Sequence, residues 1–373
     1  MEEARARDTS RLHVLGPSSN GCKCPAGGPA IRGVILAGVH RWAEDPLDRV
    51  LARPLWPVMA RPVVQYALDW LTGAGISCVT VCGNGDTDAL RTAVTGSTVP
   101  ACSIQFSEDR IPRGPAGCAR DAAVTCTASV LVLAYGTVIP RLDLAAMLAA
   151  HEHSGAAMTV ALRGPADSGS NGTAPTPAGV YVISRRVLED VSSHGYHDLK
   201  ESLIPSLHHR GERVTAHPVP AGSVIPVYDT ASYLRANRQL LHDLVAADPV
   251  ACGFRRSGDA LVAASAHVAP DARLLGPVLV SGGVRVGAGA LIVGPAIIGA
   301  DCTVGSDAVI TRSVIWNHVR VADRAVVDGC VLTDAAEVES AAIARRAVWR
   351  GGGPRRRGGS IRLGRITRRR VLT

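Results

Sequence analysis

The sequence predicts an α/β chain in two parts: a Rossmann-like, mainly parallel sheet, then a parallel β-helix. Three observations predict it. From Arg32 to about residue 250, short apolar runs alternate with helix-period stretches, the pattern of a parallel sheet covered on both faces. After about residue 260 that alternation gives way to aliphatic residues recurring every six positions. The chain has 373 residues, enough for two domains with cores of their own.

Residues 1–30 are rich in Gly, Pro and Ser and read as a disordered extension. The first domain is expected over 31–250. "GVILAG" (33–38) is a buried strand running into a tight turn, the way a nucleotide-binding domain opens, with backbone N–H groups free to close on a phosphate. "CVTVCG" (78–83), "CSIQF" (102–106), "SVLVLA" (129–134), "AMTVAL" (157–162) and "GVYVIS" (179–184) are the further strands. In "PVVQYALDWLTGAG", Val63, Val64, Ala67, Leu68 and Leu71 share a helical face that Gly73 and Gly75 end. "RLDLAAMLAAHEHSG" repeats the arrangement with Leu144, Met147 and Leu148, and "TASYLRANRQLLHDLVA" (230–246) closes the domain as a long helix. Ligands bind such sheets at the carboxyl ends of the strands.

Over 260–340 the six-residue ladder is Val268, Leu274, Val280, Val286, Ile292, Ile298, Val304 and Ile310. A small or slim residue stands two places before each, among them Ala266, Ala290, Ala296, Cys302 and Ala308. The register slips by one and resumes at Ile315, Val321 and Val327. An internal repeat of this kind means a solenoid. A triangular coil satisfies it, each hexapeptide forming one flat side with its aliphatic residue inward, about eleven of them giving three to four turns. The pattern resembles the hexapeptide-repeat, left-handed β-helix family. When the register slips, Trp316 leaves the inward ladder. It is expected either to anchor an oligomeric interface or to pack on the first domain of its own chain.

Formal charge is +8, yet Arg350 to Thr373 hold nine arginines and no acid. The remaining 31 basic and 32 acidic side chains of 1–349 nearly cancel. We therefore read 350–373 as an Arg-rich, disordered, solvated tail and not as a nucleic-acid arm. The N-terminus lacks an apolar signal core, and no apolar run is long enough to span a membrane. Ten scattered cysteines read as small core residues in a reducing, cytoplasmic setting. Cys22 and Cys24 form a lone pair with no second half for zinc.

Three segments, in order, resemble the nucleoside-diphosphate-sugar pyrophosphorylases (sugar nucleotidyltransferases). That family shows L-A-G-G-x-G-T-R-L-x-P-L-T, then P-K-P-L-L-P-V and a K-P before a helix. This chain has "LAG" at 36–38, Pro46-Leu47 in phase, "RPLWPV" at 53–58 and "RP" at 61–62. "EDRIPRGPAGCARDA" (108–122) is similar to E-x-x-x-L-G-T-A-G-A-L. "GVYVISRRVLEDV" and "DLKESLIPSLHHRGERVTAHPV" resemble the sugar-binding strand, then the helix and strand leading to a metal-binding aspartate. With the β-helix behind it, the architecture is similar to GDP-mannose and ADP-glucose pyrophosphorylases.

The resemblance implies joining an NTP to a sugar 1-phosphate with release of pyrophosphate, which requires Mg²⁺ on carboxylates together with cations and N–H donors. It places the nucleotide against Leu36, Ala37, Gly38, Arg53 and Gly114. Here the glycine loop reads Val39-His40-Arg41-Trp42-Ala43, followed by Glu44 and Asp45, which would repel a triphosphate. Arg53 stands for the P-K-P lysine. Thr137 and Pro226 stand where the metal carboxylates belong, and neither Lys nor Glu occurs in "RGPADSGSNGTAPTPA" for the E-K-P element.

The leading expectation is therefore a non-catalytic, nucleotide- or sugar-nucleotide-binding or regulatory subunit. It would assemble through the β-helix as a homo-oligomer or with a catalytic paralogue. The alternatives are an active pyrophosphorylase with a rearranged site, using Mg²⁺, Arg41, Arg53, Asp229 and Glu108, and a hexapeptide acyltransferase using His267 or His318.

Overall fold

A computed structural model describes residues 31–38, 45–84, 87–95, 102–109, 111–164, 175–247 and 253–351. The N-terminal extension, the loop holding Arg41 and most of the arginine tail lie outside them.

The first domain is a seven-stranded sheet. Its strands are β1 (Ile31–Leu36), β2 (Cys78–Gly83), β3 (Ser103–Glu108), β4 (Val130–Tyr135), β6 (Met158–Arg163), β7 (Thr176–Ser184) and β8 (Val214–Val219). A short antiparallel pair, β5 (Val138–Pro140) and β9 (Val224–Pro226), forms a separate two-stranded sheet. The order is β8-β6-β7-β4-β1-β2-β3, parallel except that β7 runs against both neighbours. β1, β2 and β4 are almost wholly buried, which is why they read as unbroken apolar runs.

Helices cover both faces. α1 (Val63–Gly73), α2 (Thr87–Thr95) and α4 (Leu144–Ser154) pack Val64, Leu68, Leu71, Leu90 and Met147 against Val79, Val132 and Val180. On the other face, α3 (Gly114–Val124), α5 (Arg185–Leu188) and α6 (Ile204–His209) bring Ala119, Leu188 and Leu207 onto Val34, Leu133 and Tyr181. α7 (Thr230–Ala246) closes the domain.

The second part is a parallel β-helix of three stacked sheets, running from Ala260 to Trp349. Two of the sheets contain five strands each, so the coil has more turns than the three to four expected. The coil continues past residue 340, where Ala344 stands in the ladder in place of a large aliphatic residue. Both members of each hexapeptide pair point inward: Val280, Val286, Ile292 and Ile298 interleave with Val284, Ala290 and Ala296 in one core.

The register slip has a structural meaning. His267, Arg285 and Thr303 stack one turn apart, as do Thr303, Arg320 and Glu337, but the later turns are one residue shorter. Ser313 sits fully buried where the turn shortens. Its hydroxyl donates to Thr311 O at 2.7 Å and accepts the Cys330 N–H at 3.0 Å. A polar atom inside an apolar coil is tolerated because both its roles are filled.

The expectation that Trp316 anchors an oligomer is corrected. Its ring does leave the coil interior, but it is 5% exposed, and its indole N–H donates to Tyr233 Oη at 2.9 Å. Tyr233 in turn donates to Pro57 O at 2.7 Å and meets Trp56 edge to face. Leu261, Leu279, Ile297, Val314 and Val331, from one outer face of the coil, join Trp316, Tyr233 and Leu241 in a single interdomain core. The other sequence alternative holds: the tryptophan packs on its own first domain.

Six cysteines are free thiols among the described residues. Cys78 is disulfide-bonded, so it departs from the reading of the cysteines as reduced core residues. No helix of the described residues is long and apolar enough to cross a membrane.

Candidate functional site

A pocket of about 530 Å³ opens at the carboxyl ends of β1, β2 and β4, where a sheet of this topology presents its ligand crevice. Of the residues nominated from sequence, Leu36, Gly38, Arg53, Gly114, Thr137, Pro226 and Asp229 line it. Ala37 lies buried beneath it, its N–H on Cys82 O at 2.8 Å, and is not among the lining residues. Glu108 is exposed at the end of β3 and does not line the pocket, whereas its neighbour Asp109 does. Arg41 is outside the described residues. His267 and His318 are exposed on the coil, away from this pocket.

Gly114 begins α3 with φ of 74°. A Cβ there would stand 2.5 Å from the His197 carbonyl, so only glycine permits this approach. Thr137 and Pro226 are brought side by side: the Val227 N–H donates to Thr137 O at 2.9 Å, and Pro226 pairs with Val138. Neither offers a negative charge. Among the described residues, no three His, Cys, Asp or Glu side chains gather where they could hold a metal.

Asp229 is at the pocket but committed elsewhere. It caps α7, accepting the Ser232 N–H and the Ser232 hydroxyl, each at 2.6 Å. Burial pulls its pKa upward, but the Ser232 hydrogen bonds, with Arg235 and Arg53 nearby, outweigh it and hold the carboxyl below its usual range. Asp45, expected to repel a triphosphate, does structural work instead. It caps the turn Pro46–Arg49 through the Leu47 N–H at 2.9 Å and accepts the Thr230 N–H at 2.8 Å, tying that turn to α7.

Arg53 reaches the pocket with its charge already answered. Its Nε and a terminal nitrogen close on Asp48 at 2.9 and 2.7 Å. The Asp48 hydrogen bond raises its pKa against the opposing effect of burial, helped by the charges of Asp48, Asp45 and Asp229. Three other cations that sequence reasoning did not nominate also line the pocket: Arg163, Lys200 and Arg235. Arg163 ends β6 directly opposite Thr176 on β7. Among the described residues, Arg163 Nε and Thr176 Oγ1 are both buried without a hydrogen-bond partner. Buried polar atoms in this state call for a partner from water or from a ligand.

The pocket's aromatic wall is Tyr135 and Tyr228, with Tyr181 meeting Tyr135 edge to face at 6.1 Å. Burial pushes all three phenols up, so they stay neutral donors. Cys118 also lines the pocket. A hydrogen bond with Cys82, then burial, push its thiol far up, so it is a protonated wall and not a nucleophile.

The arrangement suits an anion: four cationic side chains line the pocket against two carboxylates, Asp109 and Asp229. Asp109 accepts the Arg113 N–H at 2.9 Å, so both acids are engaged in local structure. Arg163 stands directly after the strand expected at 157–162, and the structure extends that strand by one residue to include it. It also opens "RGPADSGSNGTAPTPA", the stretch where the resemblance calls for Lys and Glu, so an arginine at its first position did not fit that pattern. No protein-family model matches this chain, and no curated protein matches it.

Proposed function

We propose that this chain is a non-catalytic member of the sugar nucleotidyltransferase kind, whose pocket binds a nucleotide or sugar nucleotide as a regulatory or scaffold subunit. One observation supports the reading above the others. Thr137 and Pro226 lie together at the place the resemblance assigns to metal carboxylates, while three cations besides Arg53, namely Arg163, Lys200 and Arg235, line the same pocket. Phosphate can be held there by charge alone. Transfer chemistry would also need Mg²⁺ to stabilise the departing pyrophosphate. Asp229, the carboxylate on which a rearranged active site would depend, is engaged as the α7 cap.

Calorimetric titration with nucleoside diphosphates and nucleoside-diphosphate sugars, in EDTA and in Mg²⁺, tests the reading. Equal affinity in both conditions is expected. Binding that requires Mg²⁺ would favour the active-site alternative, and no binding at all would remove the ligand from the proposal.

Assembly through the β-helix belongs to the same proposal, on a different face from the one Trp316 suggested. One outer face is covered by the first domain. A second presents His267, Arg285, Thr303, Arg320 and Glu337, all exposed. The third carries a row of Leu291, Val309, Val326 and Ile343 along its ladder. Ile343 is 62% exposed and Leu275 on the same face 42%, and an apolar row of this kind is what a partner would cover.

A further inference from the structure

Two thiols line the pocket and take no part in holding an anion: Cys82, next to last in β2, and Cys118, in the second turn of α3. Neither is in a disulfide. They meet because α3 turns Ala116, Ala119, Ala122 and Ala123 toward the sheet. Interiors are close-packed, so side chains this small draw the helix down onto the strands. The Cys82 sulfur comes within 4.0 Å of Cys118 O, and the two thiols share a hydrogen bond. In "GPAGC" (114–118), which follows the G-T-A-G-A of the resemblance, Cys118 stands in the place of an alanine. The resemblance therefore assigns no thiol there.

Asp109 completes the group. It lines the same pocket, and its Oδ2 accepts from the Cys118 thiol at 3.5 Å and from the Arg113 N–H at 2.9 Å. A carboxylate so placed can take the thiol proton. The hydrogen bond with Cys82, then burial, hold Cys118 protonated, so it attacks nothing until that proton leaves. Cys82 is the thiol left to react first.

We propose that Cys82 and Cys118 form an oxidisable dithiol, which hydrogen peroxide entering the pocket converts to a disulfide, and that this modification weakens ligand binding. The Cys82 sulfur attacks one peroxide oxygen and the O–O bond breaks. The departing hydroxide takes the Cys82 proton as water, and a sulfenic acid remains. Cys118 then passes its proton to Asp109 and attacks the Cys82 sulfur. The S–O bond breaks, and the hydroxide released recovers the proton from Asp109 as a second water. Two thiols and one peroxide give one disulfide and two waters. Closing the sulfurs to about 2 Å pulls the end of β2 toward α3, where Gly83, Asn84 and Gly114 belong to the same pocket wall. The effect on affinity rests on the reading of the pocket given above; the cross-link does not.

The test treats the full chain with hydrogen peroxide, maps its cysteines by alkylation, digestion and mass spectrometry, and titrates GDP by calorimetry before and after. A peptide pair joined through Cys82 and Cys118, lighter by two hydrogens and separated by dithiothreitol, is expected. Cys118→Ala should hold Cys82 as a sulfenic acid that dimedone labels, and Cys82→Ala should leave Cys118 a thiol. Both cysteines recovered as thiols from the wild type, either one joined elsewhere, or Cys118 oxidised in Cys82→Ala overturns the site. GDP affinity should fall several-fold on oxidation, return with dithiothreitol, and respond to neither reagent in Cys82→Ala. An affinity equal in the two redox states overturns the effect on the pocket. Failure of GDP to bind either form counts instead against the reading of the pocket and leaves the mapped cross-link standing.

Discussion

The Arg53 guanidinium is closed by Asp48 on two of its nitrogens, whereas Arg163 ends its strand beside an unfilled Thr176 hydroxyl. Replacing each by alanine should therefore fail in different ways. Arg163→Ala is expected to weaken nucleotide or sugar-nucleotide binding about 10- to 100-fold, the worth of a hydrogen bond to a charged group, with thermal unfolding unchanged. Arg53→Ala is expected to lower stability by about 1–3 kcal/mol, because it leaves Asp48 short of its donors, with a smaller effect on affinity. Calorimetry and thermal unfolding on the two variants check the pair, and the reverse assignment would show that Arg53 still serves the ligand. Residue type alone made Arg53 the candidate. Which arginine keeps a free charge depends on Asp48 and Thr176, whose positions only the fold supplies.

At the scale of elements, α7 begins on Asp229 and the coil shortens at Ser313, and each junction rests on one side chain. Loss of the cap in Asp229→Ala should cost about 0.5–2 kcal/mol. Its carboxyl has a depressed pKa in the folded chain. The charge-dependent part of that stability is therefore complete above the unfolded value, near 3.8, and fades as pH falls through the folded one. The gap in unfolding temperature between wild type and Asp229→Ala should accordingly be constant near neutrality and narrow below about pH 4. A gap that widens in acid would contradict the capping role. Ser313→Ala removes the acceptor of the buried Cys330 N–H and should cost about 1–3 kcal/mol. Denaturant unfolding of that variant, with no loss expected if water replaces the hydroxyl, decides whether the shortened turn depends on it.

For the whole molecule, the two domains share a core in which Trp316 is the largest contribution from the coil. Trp316→Ala is expected to cost about 3–5 kcal/mol, as for other buried aromatic truncations, and to leave oligomeric state unchanged. Ile343→Arg, placed on the exposed apolar row, should instead disperse any oligomer seen by light scattering with little effect on stability. A wild-type monomer at micromolar concentration would end the assembly proposal. Much of this plan was legible in the chain. The six strands read from apolar runs and the hexapeptide ladder both recur in the structure, because burial on two faces and a fixed coil step each impose a period. The destination of Trp316 was not legible, since periodicity shows only that a side chain leaves the coil. It cannot show that Tyr233, 83 residues earlier in the chain, is waiting to receive it. Arg163, Lys200 and Arg235 come from a strand end, the start of a helical turn and α7 respectively, and only their convergence marks them as a site.

The central claim is that the pocket binds without transferring, and pyrophosphate release tests it most directly. The full chain is incubated with Mg²⁺, a panel of nucleoside triphosphates and hexose 1-phosphates, and pyrophosphate is followed over time. Because Thr137 and Pro226 supply no carboxylate and Asp229 is committed to α7, release no greater than the protein-free background is expected for every pair. Metal-dependent turnover with any pair, abolished by Asp229→Ala in a protein that remains folded, would contradict the account and establish the rearranged active site in its place.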